Sequence, residues 1–172
     1  MIPNVVPEDF SSMEYLRSVK FDDAKNGYYV AHYGKVPSGT RASPPLLFLI
    51  HLGRLAAKEI HKLTDGDVCV TFDQFTVEKM RPGVGFFPIT DSQVFGEYVC
   101  MFVFGGGVTI EFTKGIKKLP GIYVKPNSLV VLSGEARYIL KRSIGDRKFD
   151  MVDGVKTQRT TTYIVTMRVA QF

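Results

Sequence analysis

The chain has 172 residues, near-average apolar content and no apolar run approaching the roughly 20 residues of a transmembrane helix. It is therefore long enough for one domain with a core of its own, 1–172, and no membrane insertion is expected. The net charge of +5 lies in the second half: residues 1–90 hold 10 Lys and Arg against 10 Asp and Glu, residues 91–172 hold 12 against 7. A one-sided basic surface suits RNA, DNA or an acidic partner, with an ordinary solvated lysine surface as the alternative.

Cys69 and Cys100 are isolated and lack metal-type spacing, which points to a reducing compartment and no disulfide. The start, MIPNVVPEDF, lacks the basic-then-apolar pattern of a secretory signal. The expectation is an intracellular protein, with mitochondrial, cytoplasmic and nuclear sites all open.

In chain order, Ile2 to Pro7 reads as extended, and Pro7-Glu8-Asp9 as the start of a short helix through Arg17. Tyr28 to Tyr33 is rich in strand formers, and Lys35 to Pro45 carries the Gly, Pro and Ser of a loop. Leu46 to Leu63 is the best helix, with an apolar stripe of Leu46, Leu49, Ile50, Gly53, Ala56, Ala57, Ile60 and Leu63. Strands are predicted at 72–80, 86–89, 97–104, 108–112, 121–124, 128–132, 138–140 and 160–169, which argues for a sandwich or barrel. Gly105-Gly106-Gly107 lacks a following Lys-Ser/Thr, so a tight hairpin is expected there rather than a phosphate cradle.

Three segments, PGVG at 82–85, GEARY at 134–138 and RKFD at 147–150, together with YYVAHYG and EYVCMFVFGGGVTIEF, resemble the AlkB family of iron(II)- and 2-oxoglutarate-dependent dioxygenases. Within it, the likeness is to the branch that hydroxylates modified wobble uridines in tRNA. The resemblance spans nearly the whole chain. It implies a mainly β fold with N-terminal helices, an α+β arrangement around a double-stranded β-helix (jelly-roll) barrel. Residues 1–67 would form a helical and strand buttress, and 68–172 the jelly-roll core.

Carried over residue by residue, the resemblance puts the family's metal-binding His-x-Asp pair on Ile89 and Asp91, and its distal His on Arg142. The Asn-x-Tyr that would hold 2-oxoglutarate falls on Glu78 and Met80, and the paired arginines on Thr162 and Arg168. Neither Ile nor Arg offers a lone pair to a metal, and Glu78 would repel a dianionic cosubstrate. No catalytic residue and no cofactor are expected.

A buried Asp91 without its metal needs another cation, so an ion pair of Asp91 with Arg142 or with Arg168 is expected. Lys114, Lys117, Lys118 and Lys125 border the segment KGIKKLPGIYVK, and Arg137, Lys141, Arg142, Arg147 and Lys148 follow the next turn. Lys114, Lys117, Lys118, Lys125, Arg147 and Lys148 are the candidate RNA or partner contacts. The sequence reads as an inactive AlkB-like pseudoenzyme serving as a structural or binding module. Its partners would be proteins of a larger assembly, and RNA where that assembly is a ribosomal or RNA-processing particle. The alternatives are an autonomous RNA-binding protein using the inherited cleft, and an active dioxygenase with rearranged ligands.

Overall fold

Residues 1–7 and 12–172 are described by the computed structural model. The elements run α1 Ser12–Ser18, β1 Asp23–Lys25, β2 Tyr28–Gly34, α2 Leu47–Leu63, β3 Gln74–Met80, β4 Phe86–Ile89, β5 Val99–Gly105 and β6 Val108–Lys114. They continue with β7 Lys117–Val124, β8 Ser128–Leu132, α3 Gly134–Tyr138, β9 Lys141–Ile144, β10 Phe149–Val152, β11 Val155–Gln158 and β12 Thr162–Arg168. The expected start of the first helix at Glu8 and Asp9 lies outside the described residues.

Six strands form one antiparallel sheet in the order β1-β2-β3-β12-β5-β8, and four form a second in the order β4-β9-β6-β7. β10 and β11 make a separate ribbon, joined through Asp153-Gly154 with both residues at positive φ. Residues 1–67 thus supply two strands of the large sheet as well as the first two helices.

The large sheet is buried on both faces, and each face belongs to a different core. On one side, Ala31, Tyr33, Phe75, Val77, Phe102 and Val165 pack with Leu49, Leu52, Ala56 and Ile60 of α2. On the other, Met80, Met101, Val103 and Ile164 meet Val108, Ile110, Phe112 and Ile144 of the small sheet. Alternation along each strand sends successive side chains to opposite cores, which is why β5 and β12 read as continuous apolar runs. Among the described residues no ladder joins the two sheets. The expected mainly β, jelly-roll-like fold is present, as two facing antiparallel sheets that do not close into a barrel.

Three local expectations are corrected. Gly105-Gly106-Gly107 is not a hairpin turn, because β5 and β6 lie in different sheets. It is a corner where the chain crosses between them, and a Cβ on Gly107 would come within 2.4 Å of the Tyr123 hydroxyl. The strand expected at 138–140 is instead the end of α3 and its exit, with the strand displaced to Lys141–Ile144. Gly134, at φ 52°, turns the chain into α3 and donates its N–H to Glu97 Oε1 at 2.6 Å. In α2 the buried stripe is Phe48, Leu49, Leu52, Gly53, Ala56 and Ile60, while Leu63 is 61% exposed. Gly53 sits where an added Cβ would touch the Phe75 ring at 3.4 Å, so the helix lies close on the sheet there.

Among the described residues no helix is long and apolar enough to cross a membrane. Cys69 is exposed and Cys100 buried, and both are free thiols. Burial pushes the Cys100 thiol up to about 12, so it stays protonated and behaves as a small core residue.

Candidate functional site: a polar cluster between the sheets

Apart from Ser128 of β8, the polar side chains on the inner face of the large sheet gather at its β2-β3-β12 portion. There the ladder aligns Gln74 with Arg168, Thr76 with Thr166 and His32 with Thr76. Cross-strand partners share a face, so these polar side chains meet inside the sandwich. The small sheet contributes Arg142 from β9, and the loop after β4 contributes Asp91.

Both arginines converge on Asp91. Arg142 donates through Nη1 to Asp91 Oδ2 and through Nη2 to Oδ1 at 3.1 Å, a forked guanidinium–carboxylate pair. Arg168 donates Nε to Asp91 Oδ1 at 2.8 Å, with Nη2 2.7 Å from the same oxygen. Its Nη1 donates to Gln74 Oε1 at 2.8 Å and to Thr76 Oγ1 at 3.0 Å, and its guanidinium lies 5.3 Å from the Phe95 ring centre. Asp91, Arg142 and Arg168 are all buried. The two alternatives read from the sequence therefore both hold: one carboxylate takes two guanidiniums, tying the small sheet, the 90–96 loop and the large sheet together. Burial alone would push the Asp91 carboxyl up, but the Arg168 and Arg142 charges outweigh it and hold the group below the usual carboxylate range.

Beside this cluster, Glu78 accepts a short hydrogen bond from the Tyr28 hydroxyl and a longer one, 3.4 Å, from Thr166 Oγ1. Burial, reinforced by the neighbouring Glu78 charge, raises the Tyr28 phenol well above its ordinary range and keeps it a donor. His32 Nδ1 lies 3.3 Å from Thr76 Oγ1, and burial and then Arg168 push its imidazole down, so it is neutral near pH 7. Met80 sits in the second core, and Thr162 is buried with its hydroxyl toward the Thr160 carbonyl. Ile89 pairs in register with Arg142 at the end of β4 and is 40% exposed, so it stands at the rim rather than over Asp91.

An iron(II) ion needs several lone-pair donors at one point. Here both oxygens of the one anionic donor already face guanidinium N–H groups, and Arg142 has no lone pair to offer. Among the described residues no three His, Cys, Asp or Glu side chains gather to hold a metal. Nor is the remaining arginine open to a dicarboxylate, since Arg168 spends all its nitrogens on Asp91, Gln74 and Thr76. The residues present do not fit an iron–2-oxoglutarate pair.

Three further arginines hold structure, two of them buried and Arg147 half-buried. Arg137 of α3 is 1% exposed and donates to the backbone carbonyls of Gly96, Asp91, Ser92 and Phe95 at 2.6–3.0 Å. It clamps the loop that carries Asp91, a role the sequence reading missed by counting it into a basic patch. Arg159 grips Asp150 through Nε at 2.6 Å and Nη2 at 2.9 Å, and the Gly145 carbonyl through Nη1. Arg147 bridges Asp150 and Glu111. As a candidate RNA contact Arg147 is thus already committed to two carboxylates, and Lys114 is paired with Glu135. Lys117, Lys118, Lys125 and Lys148 are exposed, and among the described residues they form no ion pair.

Asp150 is pushed up by burial, but Arg159, Thr109 and Arg147 outweigh this and bring it down to about 2. Asp91 and Asp150 thus both titrate lower when folded than the unfolded value of about 4. The stability they contribute is complete above about pH 4 and is lost as pH falls through their folded values. Denaturant midpoints are expected to drop steeply between about pH 4 and 2, and a flat profile over that interval would contradict the assignment.

The comparisons accord with this architecture. No family model matches the chain. It is 35% identical over 99 residues to an uncharacterized protein of Acanthamoeba polyphaga mimivirus, covering 56% of this chain and 47% of that protein. It is 28% identical over 91 residues to the tRNA (carboxymethyluridine(34)-5-O)-methyltransferase alkbh8 of Xenopus tropicalis, covering 52% of this chain and 14% of that protein. The chain therefore matches less than half the length of either relative. Among solved structures, OsALKBH1 superposes with a TM-score of 0.64 at 11% identity, over 87% of this chain and 81% of that one. An oxidoreductase of the 2OG-Fe(II) oxygenase family from Burkholderia pseudomallei also gives 0.64 at 11% identity, over 94% and 77%. The two facing sheets, with helices packed behind the larger, are the fold of the AlkB-like 2-oxoglutarate–iron(II) oxygenases.

Proposed function

We propose that this chain is a non-catalytic, metal-free variant of the AlkB-like fold, a single domain over 1–172 that serves as a binding or structural module. The observation that carries the reading is the double guanidinium on Asp91, which uses the carboxylate an iron ion would need. A protein salt bridge holds the two sheets where the family's catalytic metal would sit. The polar cluster is close to self-satisfied: of Asp91, Arg142, Arg168, Gln74, Thr76 and Glu78, only Arg142 leaves a buried polar atom, its Nε, without a partner. A site so occupied is arranged for stability and not for exchange with a substrate. The setting favoured by the surface lysines is an assembly containing RNA, such as a ribosomal or RNA-processing particle.

The purified chain is expected to retain no iron(II) after anaerobic reconstitution and desalting, and to give no calorimetric signal with 2-oxoglutarate. Near-equimolar iron together with micromolar 2-oxoglutarate binding would overturn the reading and restore an enzyme with displaced ligands.

A further inference from the structure

The small sheet turns one face to the second core; on its outer face Asp150 of β10 is held against Thr109 and, through Arg147, Glu111, and the remainder is open. By register, Thr113 on β6 lies between Lys141 on β9 and Lys118 on β7. Directly opposed residues of an antiparallel pair share a face, so the two lysines flank Thr113 on the outer side. An open trough of about 460 Å³ crosses all four strands, from Phe87 on β4 to Lys118 on β7. Phe87 is 86% exposed, an aromatic ring that contributes little to either core. On its far side a second hollow of about 520 Å³ begins, lined by Lys25 and Tyr28, and the stem of Lys148 lies over nearby Gly83.

The charges on this face do not cancel. Glu111 is held by Arg147, whereas Asp146 accepts the Gly85 N–H at 2.8 Å and keeps its charge, one carboxylate against the lysines that follow. Among the described residues Lys25, Lys118, Lys141 and Lys148 have no ion pair. What remains is an exposed ring and free cations spread across a shallow sheet surface. That combination suits a chain that alternates flat bases with phosphates, since stacking on an aromatic side chain and phosphate neutralisation act together. A peptide adding itself as a strand needs a sheet edge, whereas the trough lies on the face.

We propose that the outer face of the β4-β9-β6-β7 sheet binds single-stranded nucleic acid, with a base stacked on Phe87 and phosphates on Lys118 and Lys141. The proposal rests on the reading of this chain as a binding module, but the surface lies outside the Asp91 cluster. Iron and nucleic acid are therefore measured separately, and one can fail without the other.

The test is fluorescence anisotropy of the full chain with labelled RNA and DNA strands of about 12 nucleotides, over a range of salt. Phe87→Ala is expected to weaken binding about ten-fold with little change in salt slope, and Phe87→Tyr to retain it. Lys118→Gln and Lys141→Gln should each flatten the slope by about 0.7. Lys58→Gln, on α2 behind the large sheet, should leave affinity and slope unchanged. Binding of either strand with this pattern supports the site, and a preference for RNA or DNA names the natural ligand. Absence of binding at low salt would overturn it. So would equal affinity for duplex and single strand with Phe87→Ala silent, or displacement by polyglutamate at matched charge, which would assign the face to an acidic protein.

Discussion

Asp91→Ala is expected to destabilise the protein by about 3–5 kcal/mol, the range for removing one partner of a buried ion pair. The change strips the shared anion from Arg142 and Arg168, leaving two buried guanidiniums facing each other across the sheets. Much of the loss is the cost of those stranded charges and not the worth of the bonds themselves. A triple variant, Asp91→Leu with Arg142→Met and Arg168→Met, is therefore expected to be less damaging than the single change. Urea unfolding at neutral pH measures both. If Asp91→Ala stays within about 0.5 kcal/mol of the parent, as surface substitutions do, the cluster is not what joins the two sheets.

Arg137→Met is expected to cost above about 3 kcal/mol for a different reason. It leaves the carbonyls of Asp91, Phe95 and Gly96 without their side-chain donor, while the exposed Ser92 carbonyl keeps the Phe95 N–H, and each buried acceptor so stranded costs about 1–3 kcal/mol. Some will find water once the loop loosens, so the sum is not additive. The loosening is itself measurable as faster amide hydrogen exchange across residues 91–96. Exchange unchanged in that loop, with stability lost elsewhere, would mean Arg137 acts through α3 alone.

Strand positions were legible wherever one periodicity dominated: Phe86–Ile89 and Ser128–Leu132 match the ladder, and β3, β5, β6 and β12 shift by only one or two residues at their ends. The β10–β11 ribbon was missed although Asp153-Gly154 is a strong hairpin signal, because Phe149 to Gln158 carries a charge at every third place, Asp150, Asp153 and Lys156, and contributes little core. The hydrophobic stripe of α2 was misplaced because Leu46 and Leu63 lie at its ends, beyond the cover of the sheet. That neither Ile89 nor Arg142 has a lone pair for a metal follows from residue type alone, and an arginine partner for Asp91 was readable in the same way. Counting charges could not reveal that all five arginines after residue 90 are committed to partners within the chain, Asp91, Asp150, Glu111 and backbone carbonyls. Pairing of that kind depends on which strands meet, and only lysines remain as free cations on the surface of the second half.

The place of β12 in the large sheet governs the order in which the fold can assemble. It lies between β3 and β5, and its Arg168 pairs with Gln74, 94 residues earlier. No native centre for that sheet exists until residue 168 has been synthesised. Until then β3 and β5 each present an unpaired edge, and Asp91 lacks one of its two cations. So non-local a topology folds slowly, and its nascent chain is exposed to mispairing for the whole of that interval.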